Sequence, residues 1–422
     1  MKLPRADGLQ RPDAYVRKRI GRGVRKCARM EAGTSFKIYI MENTKEQYYD
    51  TFLGCIMGGA FGDAYGFPVE YLRLSEIVER YGRKGITAPD AGPNGRIIVS
   101  DDTQMTLFTM DGLTTGMMRV RTHRTDSPAE VYIDRAYLDW YATQHPRMPY
   151  TRPFTAIYTD RRLRAQRAPG RTTLSSLAVQ FQNVADPRDE FDIGQRGTIE
   201  KPISSSKTCG ALMRTAPIGL MLNGENYNIQ ADSVAAVAAR AAAITHGHPF
   251  GYLPAALFAE IISRMTYRRM AADPTLERLM NNALYQIELQ FRGTRDLELF
   301  IAEMEKAIRM GCDRSLKVGT CLKELGDGWN ADSALANAIF LVLRFPNDYY
   351  RAIHAAVNRT GDSDTIGSVT GNLLGAWIGY QELSRQLDDI YHTKGYLADN
   401  LEMYDLIEET VRRAFRVSLS GI

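Results

Sequence analysis

Cysteine is scarce in this chain. Its 422 residues hold five (Cys27, Cys55, Cys209, Cys312 and Cys321), with no C-x-x-C pair and no dense spacing. An odd, sparse set argues against a secreted disulfide framework and points to a reducing, cytoplasmic setting. Long apolar runs are missing too; none approaches the roughly 18–20 residues that a membrane span needs. The N-terminus lacks both the apolar core of a signal peptide and the serine enrichment of a transit peptide. Period-two alternation is nearly absent, apart from a weak run over residues 35–41 that suggests a short strand. No repeat of 20–50 residues is visible.

What is present points to one well-filled body. Hydrophobic residues make up 44% and charged residues 24%, which suits a packed core and not global disorder. Net charge is +4, but residues 1–30 alone carry ten Lys/Arg against Asp7 and Asp13, leaving −4 for the rest. We divide the chain into a basic, flexible extension, residues 1–44, and a body, residues 45–422. The extension reads as a solvated tail, or as a segment that docks on a partner or folds over the site. No nucleic-acid-reading module follows it, so no nucleic-acid partner is expected.

The body reads as all-α. Helical patterns cover residues 46–66, 102–118, 130–144, 156–163, 209–222, 233–244, 254–265, 275–291, 296–310, 331–344, 349–358 and 403–415. Two of the helices carry glycine every fourth residue: Gly54, Gly58, Gly62 and Gly66, then Gly367, Gly371, Gly375 and Gly379. Glycine is a poor helix former. Four at one spacing predict a backbone unusually close to a neighbour, unless they only mark helix ends.

Chemistry concentrates in two acidic segments, each just before a helical pattern. These are Ser100-Asp-Asp-Thr103 and Asp362-Ser-Asp-Thr365. Either could be an ordinary N-cap. The second is not an EF-hand loop, because its twelfth position is Leu373 and not an acid. Gathered in one pocket, the four aspartates would repel, at around 4 kcal/mol for a pair about 4 Å apart. Such a cluster needs cations. An oxygen-only ligand set favours Mg²⁺, or Mn²⁺, over Zn²⁺.

Further pieces complete a recognisable set: Gly54-Cys-Ile-Met-Gly-Gly-Ala-Phe-Gly-Asp-Ala-Tyr-Gly-Phe-Pro-Val-Glu70, Arg167-Ala-Pro-Gly170, Cys209-Gly-Ala-Leu-Met-Arg-Thr-Ala-Pro-Ile-Gly219 and Thr245-His246. With the two acidic segments they resemble the ADP-ribosylglycohydrolase family, which includes the dinitrogenase reductase-activating glycohydrolase, in that family's order over about residues 47–380. The resemblance implies a compact α-helical fold, a binuclear Mg²⁺ site and removal of ADP-ribose from a modified side chain. By position it makes Ser100, Asp101, Asp102, Asp362, Asp364 and Thr365 metal ligands. Glu70 becomes the acid beside the metals. Ser206, Cys209, Gly210, Met213 and Arg214 fall on a loop lining the ADP-ribose cleft. Two departures stand out: Ser100 where many relatives have threonine, and Arg359-Thr360 where a glycine-rich lead is commoner.

The implied reaction cleaves a glycosidic bond at ribose C1″ through an oxocarbenium-like state. Glu70, Asp101 and Asp364 are the candidate acid–base groups. The diphosphate is expected against backbone N–H groups near Gly170 or Gly210. Arg214 reads equally as a phosphate clamp or as a buried structural arginine. His246 reads as an oriented hydrogen-bonding residue or as a direct ligand contact. Tyr65, Phe67 and Tyr71 are candidates for stacking on adenine or for the core. The expected activity is Mg²⁺-dependent hydrolysis of an ADP-ribosyl-protein, with arginine as the linkage. A stoichiometric immunity protein, whose basic extension occludes an ADP-ribosylating toxin, is the alternative.

Overall fold

The structure, a computed structural model, describes residues 33–123, 127–147, 150, 153–184, 194–222, 233–267 and 275–419. Residues 1–32, which hold the basic run, lie outside the described residues. The chain divides into two units, Met1–Glu46 and Gln47–Ile422. The described residues form seventeen α-helices and no β-strand. In order these are α1 (Gly33–Gly66), α2 (Leu74–Tyr81), α3 (Asp101–His123), α4 (Ala129–Gln144), α5 (Arg171–Gln182), α6 (Ala216–Met221), α7 (Val234–Ala243), α8 (Pro249–Tyr267), α9 (Leu276–Gln290), α10 (Leu297–Cys312), α11 (Val318–Glu324), α12 (Ala331–Arg344), α13 (Tyr349–Val357), α14 (Ser363–Ile378), α15 (Tyr380–Tyr391), α16 (Tyr396–Asn400) and α17 (Tyr404–Leu419). No helix among the described residues is long and apolar enough to cross a membrane.

Local chemistry sets many of these helix starts. Ser233, Thr275, Asp348 and Asp362 each accept a hydrogen bond from the backbone N–H three residues on, at 3.0–3.2 Å, satisfying a donor that the helix itself cannot. The core is laid down where α3 packs on α4, α7 on α8 and α10 on α12. Helix α12 is buried along its length. Its alanines and leucines therefore read as a nearly continuous apolar run.

Two expectations are corrected. Residues 35–41 belong to α1, a helix, and form no strand; a weak alternation was outweighed by the helical segment that continues it. Residues 156–163 form two 3₁₀ turns, Ile157–Thr159 and Arg161–Arg164, not a helix. Buried Asp111 takes the N–H groups of Ala156 (2.6 Å) and Ile157 (3.1 Å). Asp160, in an extended conformation, caps the second turn through Arg162 N (2.9 Å). Side-chain oxygens thus replace the helical carbonyls as acceptors.

The two glycine stripes face each other. A methyl group built on Gly54, Gly58 or Gly62 would overlap the carbonyl oxygen of Gly375, Gly371 or Gly367 respectively, and the overlaps are reciprocal. At the end of the stripe, Gly66 lies against the backbone of Ser363 and Asp364. Close approach along this face is what brings the end of α1, and Glu70 just beyond it, to the acidic start of α14.

Candidate metal centre and its cleft

The site begins with Asp63, which projects from the glycine helix into full burial. Its carboxylate accepts the Ser100 N–H at 3.0 Å on each oxygen, the Thr103 N–H at 3.1 Å and the Thr103 hydroxyl at 2.5 Å. These bonds fix the chain at the start of α3, where Asp101 and Asp102 line a cavity. Ser100 stays behind the wall, its Oγ accepting from Asp102 N at 3.2 Å. Gly170 N donates to Asp101 Oδ2 (3.2 Å), tying the Arg167–Gly170 turn to the same wall.

The second wall is the start of α14. Gly361 holds φ +123°, with Asp327 O where a side chain would stand, and Asp362 N donates to that carbonyl at 2.9 Å. Asp362 and Asp364 then both accept from Thr365 N, at 3.2 and 2.9 Å. The loops meet where Thr365 Oγ1 donates to Asp102 Oδ1 at 3.5 Å. Glu70, Asp362 and Asp364 each place one oxygen within 4.8 Å of the others.

The acids enclose a cavity of about 460 Å³, lined also by Gly170, Thr172, Thr208, Cys209, Gly210, Met213, His246 and Trp329. Of the residues singled out from the sequence, Glu70, Asp101, Asp102, Asp362, Asp364, Thr365, Cys209, Gly210, Met213 and His246 line it. Ser100, Ser206 and Arg214 do not. Arg214 is fully buried, its guanidinium 4.2 Å from the Tyr137 ring centroid and bonded to Thr245 Oγ1 at 2.6 Å. It is a structural arginine behind the wall and does not line the cavity.

Tyr65 is core, its hydroxyl donating to Ile86 O at 3.2 Å, and Phe67 is half-buried. Tyr71 lines the cavity mouth, 70% exposed and stacked on Trp329 with centroids 5.6 Å apart. Arg359 is turned inward, donating to Asn337 Oδ1 (2.5 Å) and Gly326 O. Thr360 accepts from Leu74 N at 2.9 Å. The departure at 359–360 therefore braces the loop from behind.

Electrostatics demand a counter-charge. Burial, and after it mutual repulsion, pushes Asp101, Asp102 and Asp364 well above the ordinary carboxylate range. Burial raises Glu70 to about 8 and Asp63 to about 6. Glu70 Oε2, Asp102 Oδ2 and Asp362 Oδ2 are buried with no hydrogen-bond partner. Orphaned carboxylate oxygens converging on one space are what a hard cation's ligand set requires. The residues fit a divalent cation.

A family model described as ADP-ribosylglycohydrolase matches residues 44–418. The chain belongs to the ADP-ribosylglycohydrolase family. A solved structure named "ADP-ribosylglycohydrolase-related protein complex" superposes with TM-score 0.55 at 22% identity, covering 89% of this chain and all (100%) of that one. At that identity the likeness concerns the fold, which is the all-α ADP-ribosylglycohydrolase fold expected. An uncharacterized protein of Archaeoglobus fulgidus is 23% identical over 329 residues, 78% of this chain and 87% of its own length.

Sequence reasoning missed Asp63, Thr172, Thr208 and Trp329. Asp63 left a signal: it is the one ionised side chain among the residues of the glycine stripe from Gly54 to Gly66. An acid there has to meet donors from elsewhere in the chain. Trp329 left none, because it sits in a turn with no motif around it.

Proposed function

We propose that the protein is a divalent-cation-dependent hydrolase that removes ADP-ribose from modified side chains, arginine first among them. The observation that supports this reading is the convergence of the Ser100–Thr103 and Asp362–Thr365 segments, with unpartnered carboxylate oxygens, on one cavity. Asp101, Asp102, Asp362, Asp364 and Thr365, with Ser100 behind them, would hold two Mg²⁺ ions, or Mn²⁺ in their place. When bound, these supply charge neutralisation and Lewis acidity toward ribose oxygens and water.

The chain's own groups do the rest. The bond from C1″ to the side-chain nitrogen breaks as a water oxygen bonds to C1″. The water's hydroxyl stays on the sugar, and its remaining proton passes to the leaving nitrogen. Glu70 would make that transfer: it lines the cavity beside Asp362 and Asp364, and a carboxyl there can pass a proton between the water and the leaving nitrogen. Asp101 and Asp364 are the other groups within the cavity able to orient the water. Tyr71 and Trp329 at the mouth give the acceptor side chain an aromatic surface, where a guanidinium gains by cation–π attraction.

The test is incubation with arginine-, serine- and phosphate-linked ADP-ribose substrates, in Mg²⁺ and in EDTA. Free ADP-ribose released from the arginine linkage, in Mg²⁺ alone, is the expected result. Release from none of the three in Mg²⁺ would overturn the reading.

A further inference from the structure

Behind the cavity wall runs a chain of side-chain hydrogen bonds that the reaction as described does not use. Arg214 Nη2 donates to Thr245 Oγ1 at 2.6 Å. Thr245 Oγ1 lies 2.8 Å from His246 Nδ1, and His246 Nε2 lies 2.9 Å from Thr208 Oγ1. Thr208 Oγ1 is 3.1 Å from Ser206 Oγ, which accepts from Thr172 Oγ1 at 3.2 Å and from Thr208 N at 3.3 Å. Its inner end is fully buried and its outer end, at Thr208, lines the cavity.

The donor inventory of these groups gives the chain a direction. A guanidinium only donates, so Thr245 Oγ1 accepts at that contact. Thr245 is buried, and His246 Nδ1 is the acceptor within hydrogen-bond distance of its hydroxyl. Its proton therefore goes to Nδ1. Burial and the adjacent Arg214 charge both hold the His246 ring well below its ordinary pKa, hence neutral. A neutral ring that accepts at Nδ1 carries its proton on Nε2 and donates it to Thr208 Oγ1. Ser206 Oγ already accepts two bonds, so its contact with Thr208 is made by donating. Thr208 Oγ1 then accepts two hydrogen bonds and has its own hydrogen left to donate, at a residue that lines the cavity.

We infer that Arg214, Thr245 and His246 are positioning residues that fix the His246 tautomer and so present the Thr208 hydroxyl to the cavity as an obligatory hydrogen-bond donor for an unprotonated ligand oxygen, of the kind a phosphate carries. This rests on the proposed ADP-ribose reading for the identity of the ligand; the tautomer does not depend on it. Arg214 thereby acts on the ligand without touching it.

The experiment has two arms. In the first, ¹⁵N NMR of the histidine rings in the full chain, with His246→Gln for assignment, reads the tautomer. The inference requires Nε2 protonated and Nδ1 unprotonated through neutral pH, and a protonated Nδ1 would overturn it. In the second, calorimetry with ADP-ribose in Mg²⁺ compares Thr208→Ser, Thr208→Val and Thr245→Val. A hydrogen bond to a charged acceptor corresponds to about ten-fold or more in affinity. Thr208→Val should lose that much while Thr208→Ser stays within about two-fold, with Mg²⁺ binding unchanged in both. Thr245→Val, well away from the ligand, should lose affinity and show mixed tautomers at His246. If Thr245→Val does not fold, the Thr208 pair and the wild-type tautomer decide the matter. Equal binding by Thr208→Val and Thr208→Ser would sink the donor assignment. Wild-type protein that binds Mg²⁺ but not ADP-ribose would instead sink the proposed function, and the NMR arm would still judge the relay.

Discussion

Removing divalent cations should make this protein lose stability as pH rises from about 5 to 8. Glu70 titrates near its ordinary 4.5 in the unfolded chain but near 8 in the folded one, because burial disfavours its charge. A raised folded-state value means that the native protein holds a proton that the unfolded chain has released. The contribution is therefore fully present below about 4.5 and is lost as pH climbs through about 8. At roughly 1.4 kcal/mol per pKa unit, it amounts to ~3–5 kcal/mol across that window. Asp63, raised from 3.8 to about 6, adds in the same direction over the lower part. With an unfolding entropy of about 0.8 kcal/mol/K for a body this size, the loss corresponds to a fall in Tm of roughly 4–6 °C. The assay is a series of calorimetric scans in EDTA from pH 5 to 8, on wild type and Glu70→Gln. The difference between the two isolates the Glu70 contribution. In saturating Mg²⁺ the trend should vanish or reverse, since cations bind the ionised acids of the native state. A wild-type Tm in EDTA that is flat or rising, and parallel to Glu70→Gln, would refute the reasoning.

Other outcomes follow from the same geometry. Asp101→Ala or Asp364→Ala should abolish hydrolysis while circular dichroism and the elution volume stay native, because each removes a cavity carboxylate and no core packing. Asp63→Asn should weaken Mg²⁺ binding by about 10–100-fold in calorimetry, as expected for a residue that orients ligands without being one, since it holds Ser100 and Thr103 in place. Gly58→Ala should cost at least ~1–3 kcal/mol in urea unfolding; its methyl group would meet the Gly371 carbonyl with no flexible side chain able to move aside. A Gly95→Ala control, at a positive φ but in open space, separates crowding from backbone strain.

The glycine stripes show what the sequence made legible. Four glycines at one helical spacing predict close approach, and Gly54, Gly58 and Gly62 do face Gly375, Gly371 and Gly367, while Gly379 caps the end of its helix. The acidic segments were legible for a related reason: burial of four aspartates is costly unless cations or protons compensate. The helices that went unread were short or exposed. Helix α2 is only eight residues long and buries only Ile77, and α15 buries only Leu383 and Leu387, so each short apolar stripe is set among many charged residues. The failure at 156–163 was different. Asp111 lies far from it in sequence, and its capture of the Ala156 and Ile157 N–H groups could not be seen locally. Asp63, Thr208 and Trp329 were missed because their roles depend on partners that only the fold supplies.

The account stands or falls on two acidic segments sharing one pair of cations. Mn²⁺ titration followed by electron paramagnetic resonance measures this directly. Two ions per chain with an exchange-coupled spectrum, the mark of metals about 3.5–4 Å apart, are predicted, and Asp102→Asn or Asp362→Asn alone should remove the coupling. Two independent, uncoupled Mn²⁺ signals, or coupling that survives both substitutions, would contradict it.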